Sequence, residues 1–446
     1  MRTLHRLALF LLGCAVVASA VPAPAADGNS QFPLKDGDVW VMAGDSITAQ
    51  HLHSNYFEAF CFARYPQLKF AFRNSGVGGH TIPSTLARFD YDIGAWKPTV
   101  VSVELGMNDK GGTPTDKFVS NMGTMVERIR SVKARPVILA ASPVNNGDTM
   151  AKLGGNQKLH EYAVALKEFS AKEKVPYADQ FHALLDIWGK NRTRETIVGA
   201  AKSAASDDGL AGVEHLKAFL AAQEKNPAKP ISMQGDAVHP GAPGQLMMAA
   251  ALLKALGADG FVSSATVDAS GKVTDAKGCK VDGVEAKDGK LSFDRLDERL
   301  PFPIPDEARP ILGFYPVVLE LSQYTLKVTG LKGSQYQLKI NGIPTATLAA
   351  KELEAGVNLT TFGPLPMAKE VNPIAAQGKA VLAAVAAKEK LVDQWRGQSQ
   401  KAHAPNAGDE LKIQLAALTK KVEEADGKIR EAAKPQKLHF ELTPAQ

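Results

Sequence analysis

Val39-Trp40-Val41-Met42-Ala43-Gly44-Asp45-Ser46-Ile47-Thr48 is the stretch around which the chain is organised. Its apolar first half reads as a strand buried on both faces, and the Gly-Asp-Ser that follows as a tight turn into a helix. In an open α/β sheet, ligands meet backbone amides and helix N-termini at the carboxyl ends of the strands. A serine placed there can be a nucleophile. It can equally be a helix N-cap, the commoner use of serine at such a junction.

Working outward, further strands read at 69–73, 99–105, 135–140 and 175–178. Helical periodicity lies between them at 50–65, from Pro83, at 115–132 and at 156–173, with a closing helix over 243–256. Strands that alternate with amphipathic helices predict a five-stranded parallel sheet covered on both faces. The interval 182–229 reads as an insertion holding two helices, near 182–203 and 211–224.

From about residue 258 the pattern changes to period-two alternation, as at Tyr324-Thr325-Leu326-Lys327-Val328 and Tyr336-Gln337-Leu338-Lys339-Ile340. Asn341-Gly342 signals a hairpin turn. A five-proline stretch, 299–316, reads as a loop crossing back over the first domain. Residues 367–396 and 409–433 turn helical around a polar connector, 397–408. The second helix spaces Leu411, Leu415, Leu418, Val422, Ala425 and Ile429 alternately four and three apart, a coiled-coil-like seam that could serve a homodimer. The expected domains are therefore an α/β unit at 27–257, a small antiparallel β domain at 258–362 and an inserted helical hairpin at 363–436. A strand at 437–446 returns to the β domain.

The N-terminus runs Met1-Arg2-Thr3-Leu4-His5-Arg6, then an apolar stretch, then small residues and prolines to Ala26. That is the order of a secretory signal, which predicts export to the periplasm or the outside, with 1–26 removed after Ala20 or Ala25. The apolar stretch is too short to span a bilayer. Leu11-Leu12-Gly13-Cys14 loosely resembles a lipoprotein box, but the cysteine sits too early in the apolar run, so a lipid anchor at Cys14 is the lesser alternative. A net charge of +5 over 446 residues, with both signs interspersed, leaves no nucleic-acid footprint and no polybasic membrane patch. Cys61 and Cys279 alone follow the leader, so the chain is not a disulfide scaffold, and no zinc-ligand spacing is present.

Three strand ends now present Gly44-Asp45-Ser46, Gly78-Gly79-His80 and Gly106-Met107-Asn108-Asp109 on one rim, and Asp236-x-x-His239 lies just before the last helix. Residues 37–257 thereby resemble the SGNH hydrolase superfamily, the GDSL-type esterases and lipases, whose motifs occur in this order. The whole is similar, more loosely, to large exported bacterial members with extra C-terminal modules. The resemblance implies a three-layer α/β/α, flavodoxin-like catalytic domain. It also implies a Ser46-His239-Asp236 relay and an oxyanion hole from the Ser46 and Gly79 N–H groups and the Asn108 amide. It requires no cofactor or metal. His80, next to Gly79, is a candidate substrate contact.

The residue types suit acyl transfer. A serine hydroxyl needs a base to take its proton, an imidazole can take it and return it, and a carboxylate fixes the imidazole's tautomer. Taken singly, each piece has a plainer reading: a turn at Gly79, turn chemistry at Asn108-Asp109, a surface capping pair at Asp236 and His239. His51 and His53 read as solvated, and Asp45 and Asp109 as turn carboxylates. Together, four segments in order at the correct ends of their elements point to an exported serine esterase. Export with an accessory β module favours a carbohydrate O-acetyl esterase as the substrate class. The alternatives are a lysophospholipase or lipase-type esterase of the same fold, and a non-catalytic envelope or glycan-binding protein.

Overall fold

The computed structural model describes residues 32–146, 148, 150–185, 235–313, 315–364 and 370–445. The expected leader and all but the start of the two helices expected near 182–224 lie outside the described residues.

Five parallel strands, β1 (Asp38–Gly44), β2 (Phe70–Gly76), β3 (Val100–Glu104), β4 (Arg135–Leu139) and β5 (Tyr177–Ala178), stand in the order β2-β1-β3-β4-β5. Successive side chains of β1, which lies between β2 and β3, feed two different cores, as a strand's period of two requires. Trp40 and Met42 join Phe57, Phe60, Phe72 and the closing helix on one face. Val41 and Ala43 join Val101, Val103, Phe118 and Met122 on the other. The three-layer α/β/α domain read from the sequence is thus present.

The helix read over 50–65 is present but starts at His53, and a separate short helix precedes it. Helix α1 (Ser46–Ala49) is one turn, a left-handed His51 (φ 56°) breaks it, and α2 (His53–Arg64) follows. The others are α3 (Ile82–Ala87), α4 (Thr115–Ser131), α5 (Gln157–Glu173), α6 (Gln180–Leu185) and the closing α7 (Ala242–Ala255). A π-helical turn, Phe89–Ile93, follows α3 and carries Asp92.

The second half holds two further sheets, β13-β10-β6-β7 and β12-β11-β14-β9-β8. Their strands are β6 (Phe261–Asp268), β7 (Val273–Lys277), β8 (Cys279–Lys287), β9 (Lys290–Asp297), β10 (Gln323–Thr329), β11 (Gln335–Ile340), β12 (Ile343–Ala349), β13 (Val357–Asn358) and β14 (Leu438–Pro444). One pairing departs from the expected antiparallel arrangement: β10 runs parallel to β6. The long proline-rich connection allows this, because a parallel neighbour needs a crossover that a tight hairpin cannot supply. That connection lies on the first domain, with Leu300 N–H donating to the Ala63 carbonyl at 3.0 Å and Phe302 edge-on to Phe60. Strand β14 pairs with both β11 and β9, so a segment from the chain's end sits inside the sheet.

The helical hairpin is α8 (Pro373–Ala402) and α9 (Asp409–Ala432). Asn372 caps α8, its Oδ1 accepting from Ala375 N–H at 3.0 Å, with proline at the first turn. Helix α8 continues through residues 397–402, which the sequence assigned to a polar connector, and Ser399 there donates to the Tyr91 carbonyl. The hairpin docks on the α/β domain: Trp395 stacks on Trp96, and Val392 and Val422 are buried in the same core as Val101 and Phe118. The seam expected to serve a homodimer therefore packs within the chain, with Leu415 and Leu418 against that core and only Ile413 of α9 exposed as a large apolar side chain.

Candidate active site

The turn after β1 is built so that Ser46 does not cap its own helix. Asp45 does, its Oδ1 accepting from Ile47 N–H at 2.9 Å. Gly44 permits the turn, since a Cβ there would lie 2.0 Å from Thr48 Oγ1. Ser46 Oγ is thereby left for another partner: it lies 2.8 Å from His239 Nε2.

His239 stands on a turn closed by the Gly235–Pro240 bridge, with Gly235 at φ 91°. Asp236 Oδ1 accepts from the N–H groups of Val238 (2.7 Å) and His239 (2.8 Å), and its Oδ2 lies 2.9 Å from His239 Nδ1. The two backbone N–H groups, first His239's and then Val238's, followed by the imidazole, hold this carboxyl down at about 2. An ionised carboxylate only accepts, so Nδ1 carries the proton and Nε2 is left to accept from the Ser46 hydroxyl. The turn is tied from outside by Asn145 N–H, which donates to the Ala237 carbonyl at 2.7 Å.

Gly79 adopts φ 76°, a conformation that favours glycine, and a Cβ on neighbouring Gly78 would be 3.8 Å from Ser46 Cβ. Gly78 thus borders the serine, and Gly79 follows it in the same turn. Asn108 Nδ2 donates to the His80 carbonyl at 3.1 Å and to Asp45 Oδ2 at 3.3 Å. Its amide is therefore held between the turns of β1 and β2.

Among the described residues, His51, His53 and His80 make no hydrogen bond to Ser46. His53 is buried, its N–H donating to Gln245 Oε1 at 2.9 Å, and burial lowers its pKa to about 4. His51 faces the hairpin, with Nε2 3.2 Å from Asp393. His80 accepts from Arg88 Nε at Nδ1 (3.2 Å), and burial followed by the Arg88 charge lowers its pKa.

Three buried carboxylates surround the turn of Ser46. Burial pushes Asp45 up to about 6, and it raises Glu104 and Asp109 as well. Glu104 Oε2 accepts from the Thr48 hydroxyl at 2.9 Å, and Asp109 Oδ1 from Ile82 N–H at 3.2 Å. Sequence reading assigned no role to Gln245, which bridges His53, Gln50 and the Pro240 carbonyl beside His239. A lone amide in the apolar helix α7 was its available signal. Among the described residues no group of three His, Cys, Asp or Glu converges as metal ligands.

Residues 42–246 match the model of the GDSL-like Lipase/Acylhydrolase family. An acetylxylan esterase of Geobacillus stearothermophilus is 24% identical over 198 residues, 44% of this chain and 76% of that protein. An uncharacterized lipoprotein of Bacillus subtilis, YqeF, is 24% identical over 147 residues, 28% of this chain; the match spans 60% of that relative's length. Among solved structures, a gut microbial diltiazem-metabolizing enzyme has a TM-score of 0.65 at 22% identity, covering 93% of this chain and 99% of its own. That likeness extends the shared fold over the C-terminal modules.

Proposed function

We propose, from the premise that the N-terminal domain of this chain belongs to the GDSL-like family of ester-bond hydrolases, that the protein is an exported serine esterase acting through an acyl-enzyme. Its substrate class is O-acetylated carbohydrate. The observation that carries the mechanism is the 2.8 Å approach of His239 Nε2 to Ser46 Oγ, on a turn whose helix is capped by Asp45 instead.

Ser46 Oγ attacks the ester carbonyl as His239 Nε2 takes its proton, and Asp236 holds the imidazolium through Nδ1–H. The carbonyl oxygen becomes an oxyanion between the Ser46 and Gly79 N–H groups and Asn108 Nδ2. Asn108 turns one amide hydrogen from Asp45, its longer bond, toward that oxygen. Collapse expels the sugar alcohol, which receives the proton from Nε2. Water then attacks the acyl-enzyme, His239 again acting as base, and acetate leaves with Ser46 restored. His80 flanks the alcohol side of the site as a candidate substrate contact.

The acetylxylan esterase among the relatives supports the carbohydrate reading, and the leader supports export. The test is labelling by a fluorophosphonate followed by acetate release from a panel of acetylated polysaccharides. Labelling of Ser46 with acetate release is expected. Failure of the folded protein to label leaves a glycan-binding role, and p-nitrophenyl ester activity rising with acyl length indicates a lipase-type esterase.

A further inference from the structure

Arg396, on hairpin helix α8, reaches across more than three hundred residues of sequence to the turns that bear the candidate site. Its Nη1 donates to the Gly76 carbonyl at 2.9 Å. Its Nε and Nη2 grip Asp92 Oδ1 and Oδ2 at 2.6 and 2.9 Å, a bidentate pair. Asp92 Oδ2 also accepts from the Ser75 hydroxyl at 2.9 Å and pairs with Arg88. Arg88 in turn donates to the Ser75 carbonyl (2.8 Å), the Gly44 carbonyl (3.4 Å) and the His80 ring. Val77 N–H donates to the same Gly44 carbonyl at 3.1 Å, stitching the two turns together.

We propose that Arg396 is a positioning residue for acyl transfer, holding through Asp92 and Arg88 the paired glycine turns that carry Ser46 and Gly79. This rests on the reading of Ser46 as nucleophile.

Gly44 lies two residues before Ser46, and Gly76 three before Gly79, so the network grips both oxyanion-side turns at their roots. Oxyanion donors act only within about 2.7–3.1 Å of the developing charge, so a small shift of either turn reaches the rate. Arg88 and Asp92 are themselves almost fully buried, and Asp92 sits on the π-helical turn against which α8 packs. Burial alone raises the Asp92 carboxyl, but the hydrogen bond and charge of Arg396, followed by Arg88, outweigh it and hold the group below its ordinary value. Lysine could supply the charge without the fork that spans Asp92 and the Gly76 carbonyl together. The hairpin is on this view part of the catalytic unit, because one of its side chains completes the frame of the site.

The experiment compares full-length wild type with Arg396→Met, Arg396→Lys and Val392→Ala. Val392 is fully buried on the same helix, and its apolar side chain takes no part in this hydrogen-bond network, so its truncation reports hairpin docking. Arg396→Met should lower kcat for an acetyl ester about 10- to 100-fold with KM little changed, and should slow fluorophosphonate labelling similarly. Arg396→Lys should recover only part of this. Val392→Ala should lower Tm and leave kcat intact well below Tm. Wild-type labelling kinetics in Arg396→Met, or a kcat loss matched by Val392→Ala at equal loss of Tm, overturns the positioning role while the esterase reading stands. Failure of wild type to label overturns the esterase reading itself, and the proposal falls with it.

Discussion

Asn108 donates its side-chain amide to Asp45 Oδ2, while the other oxygen of that carboxylate caps the helix beginning at Ser46. One buried group thus links a candidate oxyanion donor to the turn of the candidate nucleophile. Burial raises Asp45 to about 6, so the folded state holds its proton more tightly than the unfolded chain does. Stability from this group is full below about pH 4 and declines as pH rises through about 6. In Asp45→Asn that decline should shrink in a series of Tm measurements. The same variant should lose about tenfold in kcat, because the new amide must turn its donor toward the Asn108 donor if its oxygen keeps the cap.

Asn108→Ala should lower kcat by about 10²–10³ with a smaller change in KM, the loss typical of one oxyanion donor. Steady-state kinetics on an acetyl ester measure this. A loss confined to KM would assign Asn108 to ground-state binding instead.

Asp236→Asn should cost about 10⁴ in kcat by favouring the wrong imidazole tautomer, and Ser46→Ala or His239→Ala should abolish acyl-enzyme formation. With its carboxyl held at about 2, Asp236 stays ionised from about pH 4 upward. Activity lost between pH 7 and pH 4 is therefore not protonation of Asp236. The stability this lowered group provides is present above about pH 4 and lost as pH falls through about 2, and Asp236→Asn should lack that acid loss in thermal melts.

Lys388 of α8 is fully buried, donating to Glu58 at 2.8 Å and to the Phe72 carbonyl at 2.9 Å, with Glu389 on the same ammonium. Removing one partner of a buried ion cluster leaves charge uncompensated, so Lys388→Met should destabilise by about 3–5 kcal/mol in urea unfolding. Burial pushes Glu58 up to about 8, the Lys388 charge opposing it. Wild-type stability from this group should therefore fall as pH rises from about 4.5 to 8, and Glu58→Gln should flatten that fall.

The residues now drawn together at the rim were legible because their signals are local. A strand buried on both faces, a glycine turn and an Asp-x-x-His segment each declare themselves within ten residues. The hairpin was legible only as helices. Nothing local to those helices marks Lys388, Arg396 or Asp426 as buried, and the seam of α9 reads as one that could serve a homodimer. In the structure Arg73 forks onto Asp426 at 3.0 and 2.7 Å, and α2, whose His53 read as solvated, is buried along its whole length. Similarly, the parallel pairing of β10 with β6 depends on how a long connection is routed, which no strand's own alternation encodes.

The sequence by itself determined the α/β layering and the order of the motif-bearing strand ends, since both follow from side-chain periodicity and turn chemistry over short spans. Only the tertiary structure decided that Asp45 caps the helix and leaves Ser46 facing His239. It also decided that the hairpin folds onto the catalytic domain and places Arg396 against the Gly76 carbonyl. The physical reason is distance along the chain. A capping choice is settled by what else the serine can reach, and a charged side chain can be buried only where its counter-charge waits, 304 residues away in the case of Arg396 and Asp92.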